Sequence, residues 1–162
     1  MSVQGPVGGF AIAVVREDGK WRCSAMDRAT LTELDSAITE LRKLRSPGAV
    51  FAMLAVDDEF FVLVRPGPGG VSLLLSDAAA ALDYDVAADV LDLLRADPPD
   101  EDDDELWPEG DLGILADLGL PDGEMQVIVD DVDLYPDEQL QMIAQRCGFG
   151  PEFTKQLDSM GQ

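Results

Sequence analysis

Histidine is absent from the 162 residues, and the two cysteines lie far apart, at Cys23 and Cys147. No Ser-His-Asp or Cys-His nucleophile, histidine-ligated zinc or histidine general base can be assembled from such a chain. Without a Cys-x-x-Cys, neither a disulfide framework nor a thiol redox pair is expected, and two buried thiols are the plain reading. Any catalysis would fall to carboxylates, Lys, Tyr or Cys. Aromatic residues make up 6% of the chain, too few for the aromatic cleft of a carboxylate glycosidase. The N-terminal stretch has no basic region followed by an apolar core, and no apolar run approaches the roughly 20 residues that cross a bilayer, so a cytoplasmic protein is expected.

Positive charge is scarce in one half. Residues 1–75 hold eight basic and nine acidic residues, whereas residues 76–162 hold three basic and 24 acidic, so most of the net charge of −22 lies in the second half. No Lys or Arg occurs between Arg95 and Arg146, and that stretch cannot neutralise phosphates. Nucleic acid and anionic membranes are therefore excluded as partners there, and a protein with a basic surface is the expected one.

Apolar residues at 46% and charged residues at 27% give the balance of a folded chain of about one domain. Gly9 to Val15, the turn Glu17-Asp18-Gly19-Lys20 and Trp21 to Ala25 read as a hairpin. Thr30 can cap a helix with apolar positions Leu31, Leu34, Ile38, Leu41 and Leu44, ended by Ser46-Pro47-Gly48. Ala49 to Val56, Phe60 to Val64 and Val71 to Leu75 read as three antiparallel strands, with Pro66-Gly67-Pro68-Gly69-Gly70 forbidding regular structure before the last. Ala78 to Leu82 suits a short helix, and Val86, Val90, Leu91 and Leu94 form one stripe of another. The expectation is an α+β domain over residues 1–96: a mainly antiparallel five-stranded sheet in ββαβββα order with helices on one face.

Asp97 to Asp111 contains nine acidic residues, three prolines and no basic residue, and reads as a flexible linker. Residues 112–162 read as a small helical lobe that must pack on the sheet domain or on a partner. Leu112, Ile114, Leu115 and Leu118 suggest a helical turn, Glu124 to Val129 fits helix or strand, and Tyr135-Pro136-Asp137-Glu138 starts a helix that Gly148 stops. Pro151 opens a last one carrying Phe153 and Leu157.

The candidate partner-binding residues are the acidic run Asp100, Glu101, Asp102, Asp103, Asp104 and Glu105, together with Trp107, Asp130, Asp131 and Tyr135. Each has a plain alternative. The run is equally a solvated linker, and Trp107 equally anchors that linker to the domain or fills a partner's pocket. A calcium loop at Asp131-Val132-Asp133 fails, since Pro136 stands where the turn glycine belongs and Met142 where the closing glutamate belongs. The Pro-Gly loop lacks a nucleotide fingerprint. No catalytic residue, cofactor or metal is assigned.

The order of elements resembles roadblock-like and profilin-like modules, which at the level of fold alone leaves a small-ligand or signalling domain as the alternative function. A closer likeness runs through the segment from Phe51 to Arg65, Leu75-Ser76-Asp77-Ala78 with Ala81-Leu82-Asp83, the segment from Asp130 to Glu138, and Gly148-Phe149-Gly150. Together these resemble the actinobacterial tRNA adenosine deaminase-associated protein family, over about Gly9 to Phe153. The resemblance implies a link to the enzyme that makes wobble inosine, beside whose gene such proteins are encoded. It does not imply deaminase chemistry, because that enzyme needs His-x-Glu and Pro-Cys-x-x-Cys, and this chain has neither. The function expected is a non-catalytic accessory protein whose acidic half docks on a basic partner, possible as a homodimer.

Overall fold

The computed structural model describes residues 8–44, 48–67, 69–96, 108–131 and 133–160. Its centre is an antiparallel sheet in the order β2-β1-β3-β4-β5-β6, made of β1 (Gly9–Glu17), β2 (Lys20–Ala25), β3 (Val50–Val56), β4 (Phe60–Gly67), β5 (Gly70–Leu75) and β6 (Glu109–Gly110). Six strands replace the expected five. The added strand pairs Leu74 with Gly110 and Leu75 with Glu109, at the end of the segment read as a linker. Two residues carry no strand periodicity of their own, and only the exposed edge of β5 recruits them.

Tight turns set the register. Asp18 and Gly19 both have positive φ, as the two-residue turn joining β1 to β2 requires. Between β3 and β4, Asp57 (φ 50°) and Asp58 (φ 57°) do the same without a glycine, and the Glu59 N–H donates to Val56 O across the turn. Strand β4 runs on through Pro66 and Gly67, which pair with Val71 and Gly70, although this stretch was read as a break. Proline is tolerated there because the β3–β4 ladder stops at the pair Ala52–Val64, leaving that edge of β4 with no ladder bond for Pro66 to miss.

Helices cover both faces, not one. Helices α1 (Leu34–Lys43) and α2 (Asp85–Leu94) bury Leu34, Ala37, Leu41, Val86, Val90 and Leu91 against Ala52, Leu54, Val62 and Val64. On the other face lie α3 (Asp122–Val129), α4 (Pro136–Cys147) and α5 (Gly150–Ser159). They bury Met125, Ile128, Leu140, Ile143, Phe149 and Phe153 against Ile12, Phe51, Met53 and Phe61. Strands with both faces covered read as continuous apolar runs, and residues 51–56 and 60–64 are that pattern. The region Glu124 to Val129, ambiguous in sequence, lies within the helix α3.

The first helix begins later than its periodicity suggests. Asp27 caps a 3-10 turn over Arg28–Leu31, and α1 starts only at Leu34. Thr30 is buried and its hydroxyl donates to Asp27 O at 2.7 Å. It therefore satisfies a polar group beneath the turn and does not cap the helix.

Candidate functional site

Antiparallel pairing sorts the charges along the strands. One end of the sheet carries the 57–59 turn, Gly9 and the close of β5 at Leu75; the other carries the tips at 17–20 and 67–70. The basic residues Arg16, Lys20 and Arg22 lie at the second end, and Arg42 and Arg65 line a hollow there with Pro66 and Gly67. At the first end, α4 begins and α2 is tied down, the Tyr84 hydroxyl donating to Asp57 Oδ2 at 3.1 Å. Carboxylates belong at helix N-termini and cations at C-termini. Part of this polarity is therefore helix chemistry, and only the rest is free to serve binding.

Two adjoining hollows open at the acidic end and share Asp58. The larger, a cleft of about 480 Å³, is lined by Asp58, Glu59, Asp77, Asp131 and Asp133, together with Ser76, Leu134, Tyr135 and Gln139. The other is lined by Asp57, Asp58, Asp137 and Asp158 beside Gly8, Gly9 and Thr154. No lysine or arginine among the described residues lines either hollow. Among the described residues, ion pairs join Arg22 to Glu17, Arg65 to Asp117 and Arg146 to Glu124, all away from the cleft lining.

The cleft walls come from the β3–β4 turn, the segment after β5, and the loop into α4. The Asp57 side chain accepts from the Gly8 N–H and fixes the turn. Asp77 caps a 3-10 turn, its Oδ1 accepting from the Ala79 N–H at 3.0 Å. Glu138 accepts from the Tyr135 N–H at 3.0 Å and holds the start of α4. The Tyr135 ring is left 62% exposed at the mouth. Beneath it, Ser76 accepts from the buried Phe61 N–H at 2.9 Å, and Gln139 Nε2 donates to Ile128 O at 2.9 Å.

The sequence candidates divide accordingly. Asp131 and Tyr135 line the cleft. Asp130 does not: its Oδ1 accepts from Gln126 Nε2 at 2.8 Å, one turn back on α3. Asp100, Glu101, Asp102, Asp103, Asp104, Glu105 and Trp107 lie outside the described residues. Sequence reasoning missed Asp58, Glu59, Ser76, Asp77, Asp133 and Gln139. Gln139 was the most visible of these, a glutamine beside Leu140 on the apolar stripe of α4.

Burial pushes the Cys23 thiol up to about 12 and the Cys147 thiol up to about 11, so neither is a thiolate near neutrality. Asp77 is raised from the ordinary carboxylate range by loss of water. Asp89 is raised by the same cause, with Asp35, Asp85 and Asp92 adding repulsion. Asp117 is lowered by its hydrogen bonds from Arg65, at 2.7 and 2.9 Å.

The signs oppose. A carboxyl with a raised folded pKa takes up its proton more readily when folded, so stability rises as pH falls through that value. The Arg65–Asp117 pair contributes above the unfolded value of about 3.9 and is lost as pH falls through its lowered folded value. Melting temperature should therefore rise as pH falls from 7 towards the unfolded carboxylate value of about 3.9 and decline below it. Asp89→Asn keeps the acceptor for the Leu34 N–H and should flatten the upper limb. A steady loss of stability from pH 7 down to about 4, followed by circular dichroism, would contradict this assignment.

No helix among the described residues is long and apolar enough to cross a membrane. Residues 9–150 match the model of a family described as Rv3753c-like tRNA adenosine deaminase-associated protein. The chain is 58% identical over 156 residues to Protein Rv3753c of Mycobacterium tuberculosis, covering 95% of this chain and 90% of that protein. No solved structure matches.

Proposed function

Because the chain belongs to the Rv3753c-like tRNA adenosine deaminase-associated protein family, we propose that it is a non-catalytic cytoplasmic accessory protein that docks its acidic end on a tRNA adenosine deaminase. The observation that carries this reading is the pair of adjoining hollows whose linings, among the described residues, hold eight different carboxylates and no lysine or arginine. An enzyme that grips tRNA must present cations to phosphates, and such a surface is complementary to this end of the sheet. Docking there either tethers the enzyme or screens it from its substrate. Residues 97–111 hold nine further carboxylates and no basic residue.

Electrostatic docking of this kind is fast and sensitive to salt. Calorimetry of the full chain with the deaminase should show binding at about 50 mM salt that weakens at least about tenfold at 500 mM. The triple variant Asp58→Asn, Asp131→Asn, Asp133→Asn should lose a comparable factor and flatten the salt dependence. Replacing the acidic residues of 97–107 with Asn and Gln, which leaves β6 in place, measures the share of that segment. No binding at the lower salt removes the reading. The alternative, a small-ligand domain in which the acidic segment is only a linker, draws support from the size of the cleft, and predicts that the replacement changes nothing.

A further inference from the structure

Under the exposed carboxylates lie two buried groups whose hydrogen-bonding capacity is half used. Gln139 is only 6% exposed, and both of its bonds run from Nε2, to Ile128 O and to Val129 O at 3.4 Å. Those acceptors are carbonyls, so the amide must present its nitrogen to them. That leaves Oε1 as an acceptor with no donor among the described residues. Ser76 is 5% exposed, and its oxygen accepts from the Phe61 N–H. Its hydroxyl proton finds no acceptor among the described residues. A buried polar group left unmet is destabilising, and both groups line one cleft.

We infer that this cleft is a receptor for a guanidinium group, the side chain of an arginine projecting from a protein partner. Gln139 Oε1 is the neutral acceptor at its floor, Asp77, Asp131 and Asp133 the anionic walls, and the Tyr135 ring the lip; the Ser76 hydroxyl, whose unmet group is a donor, takes no bond from a guanidinium and plays no part in the match. The inference rests on the basic-partner reading above and specifies its anchor. The complementarity is chemical. A guanidinium carries five donors and no acceptor, which suits a lining of carboxylate oxygens and an amide oxygen. It is also weakly hydrated and stacks on aromatic faces, and an ammonium does neither as well. An anion is disfavoured by the walls although α4 starts here, since Glu138 already meets the Tyr135 N–H and Pro136 has none to offer. A metal ion is disfavoured too: no group of three or more carboxylates or cysteines among the described residues is arranged to hold one.

The test uses the full chain with N-acetyl-arginine amide and N-acetyl-lysine amide as probes, read by NMR at the Gln139 side-chain amide and at Tyr135. The arginine probe should bind saturably in the millimolar range, as one side chain can, and several-fold more tightly than the lysine probe. Asp77→Asn with Asp133→Asn should weaken it about tenfold. Asn keeps the oxygen that caps Ala79, so folding is preserved. Tyr135→Leu should weaken it a few-fold by removing the stacking face. Absence of any shift at Gln139, equal affinity for the two probes, or indifference to the variants each overturns the inference. If the deaminase binds with a strong salt dependence but the probe leaves the cleft unperturbed, docking stands and the arginine receptor falls. If the probe binds and the deaminase does not, the receptor stands and the assigned partner falls.

Discussion

Phe149→Ala should lower the free energy of unfolding by about 3–5 kcal/mol, the largest effect expected of a single truncation in this chain. The ring is fully buried. It lies 4.7 Å from Trp21 of β2 and 5.9 Å from Phe51 of β3, meeting the second edge-on at 66°. It stands between α4 and α5 and meets rings on two strands. Its backbone is fixed as well: Gly148 (φ 101°) ends α4, the Phe149 N–H closes on Ala144 O at 2.9 Å, and Phe149 O accepts the first bond of α5 from Phe153. The side chain therefore cannot move to fill the space it leaves, and the cavity persists. Since α3–α5 form too small a unit to stand without the sheet, the loss is felt by the whole fold. Urea denaturation measures it. Phe149→Leu serves as the control, expected to cost about half as much because most of the volume is retained. A cost for Phe149→Ala below about 1 kcal/mol would mean that the helical layer is not anchored here.

That anchor explains which parts of the molecule could be read from the sequence. The hairpin through Asp18-Gly19, the runs at 51–56 and 60–64, and the start and stop of α4 at Pro136 and Gly148 are local signals, each set by a few neighbouring residues. What was not legible depends on residues distant in sequence. Strand β6 exists only because the edge of β5 is open to it. A helical lobe over residues 112–162 is legible, but that it covers the second face of the sheet is not given by the element order, although the unbroken apolar character of β3 and β4 implies it. Thr30 was mistaken for a cap because a threonine before an apolar stripe has that meaning on average, while here Asp27 caps an earlier turn and Thr30 turns inward.

The candidate site follows the same division. Asp131 and Tyr135 stood out by type and place, whereas Asp58, Ser76, Asp77, Asp133 and Gln139 are brought together only by the order of the strands. Asp58 comes from a turn, Ser76 and Asp77 from the end of β5, and Gln139 from a helix on the far layer. A lopsided count of charges indicated a negative surface. It could not indicate that several of those carboxylates surround buried neutral oxygens.

Gly9→Ala is the second large effect, expected to cost about 3 kcal/mol, and it follows from backbone geometry alone. Gly9 has φ 111°, a conformation L side chains rarely adopt. An added Cβ would sit 1.9 Å from Ala55 O and 2.9 Å from Ala55 C, in the neighbouring strand β3. No rotamer relieves a clash between Cβ and main chain, so β1 and β3 must separate where Gly9 pairs with Val56. That pair closes the ladder between two interior strands of the sheet. It also adjoins the acidic turn, whose Asp57 side chain is held by the Gly8 N–H, so the acidic end should be disturbed with it. Gly110 provides the comparison, with φ 114° and a Cβ position 2.1 Å from Leu73 O. The local insult is nearly identical, but Gly110 belongs to a two-residue strand at the sheet edge, where the chain can peel away at little expense. Gly110→Ala should accordingly cost about 1–2 kcal/mol, close to the price of the dihedral alone. Denaturant titration of the two variants side by side isolates position in the sheet from the clash itself. Equal costs would show that β1 and β3 yield as readily as an edge, and the central pairing would then not be the rigid frame on which the acidic cleft is built.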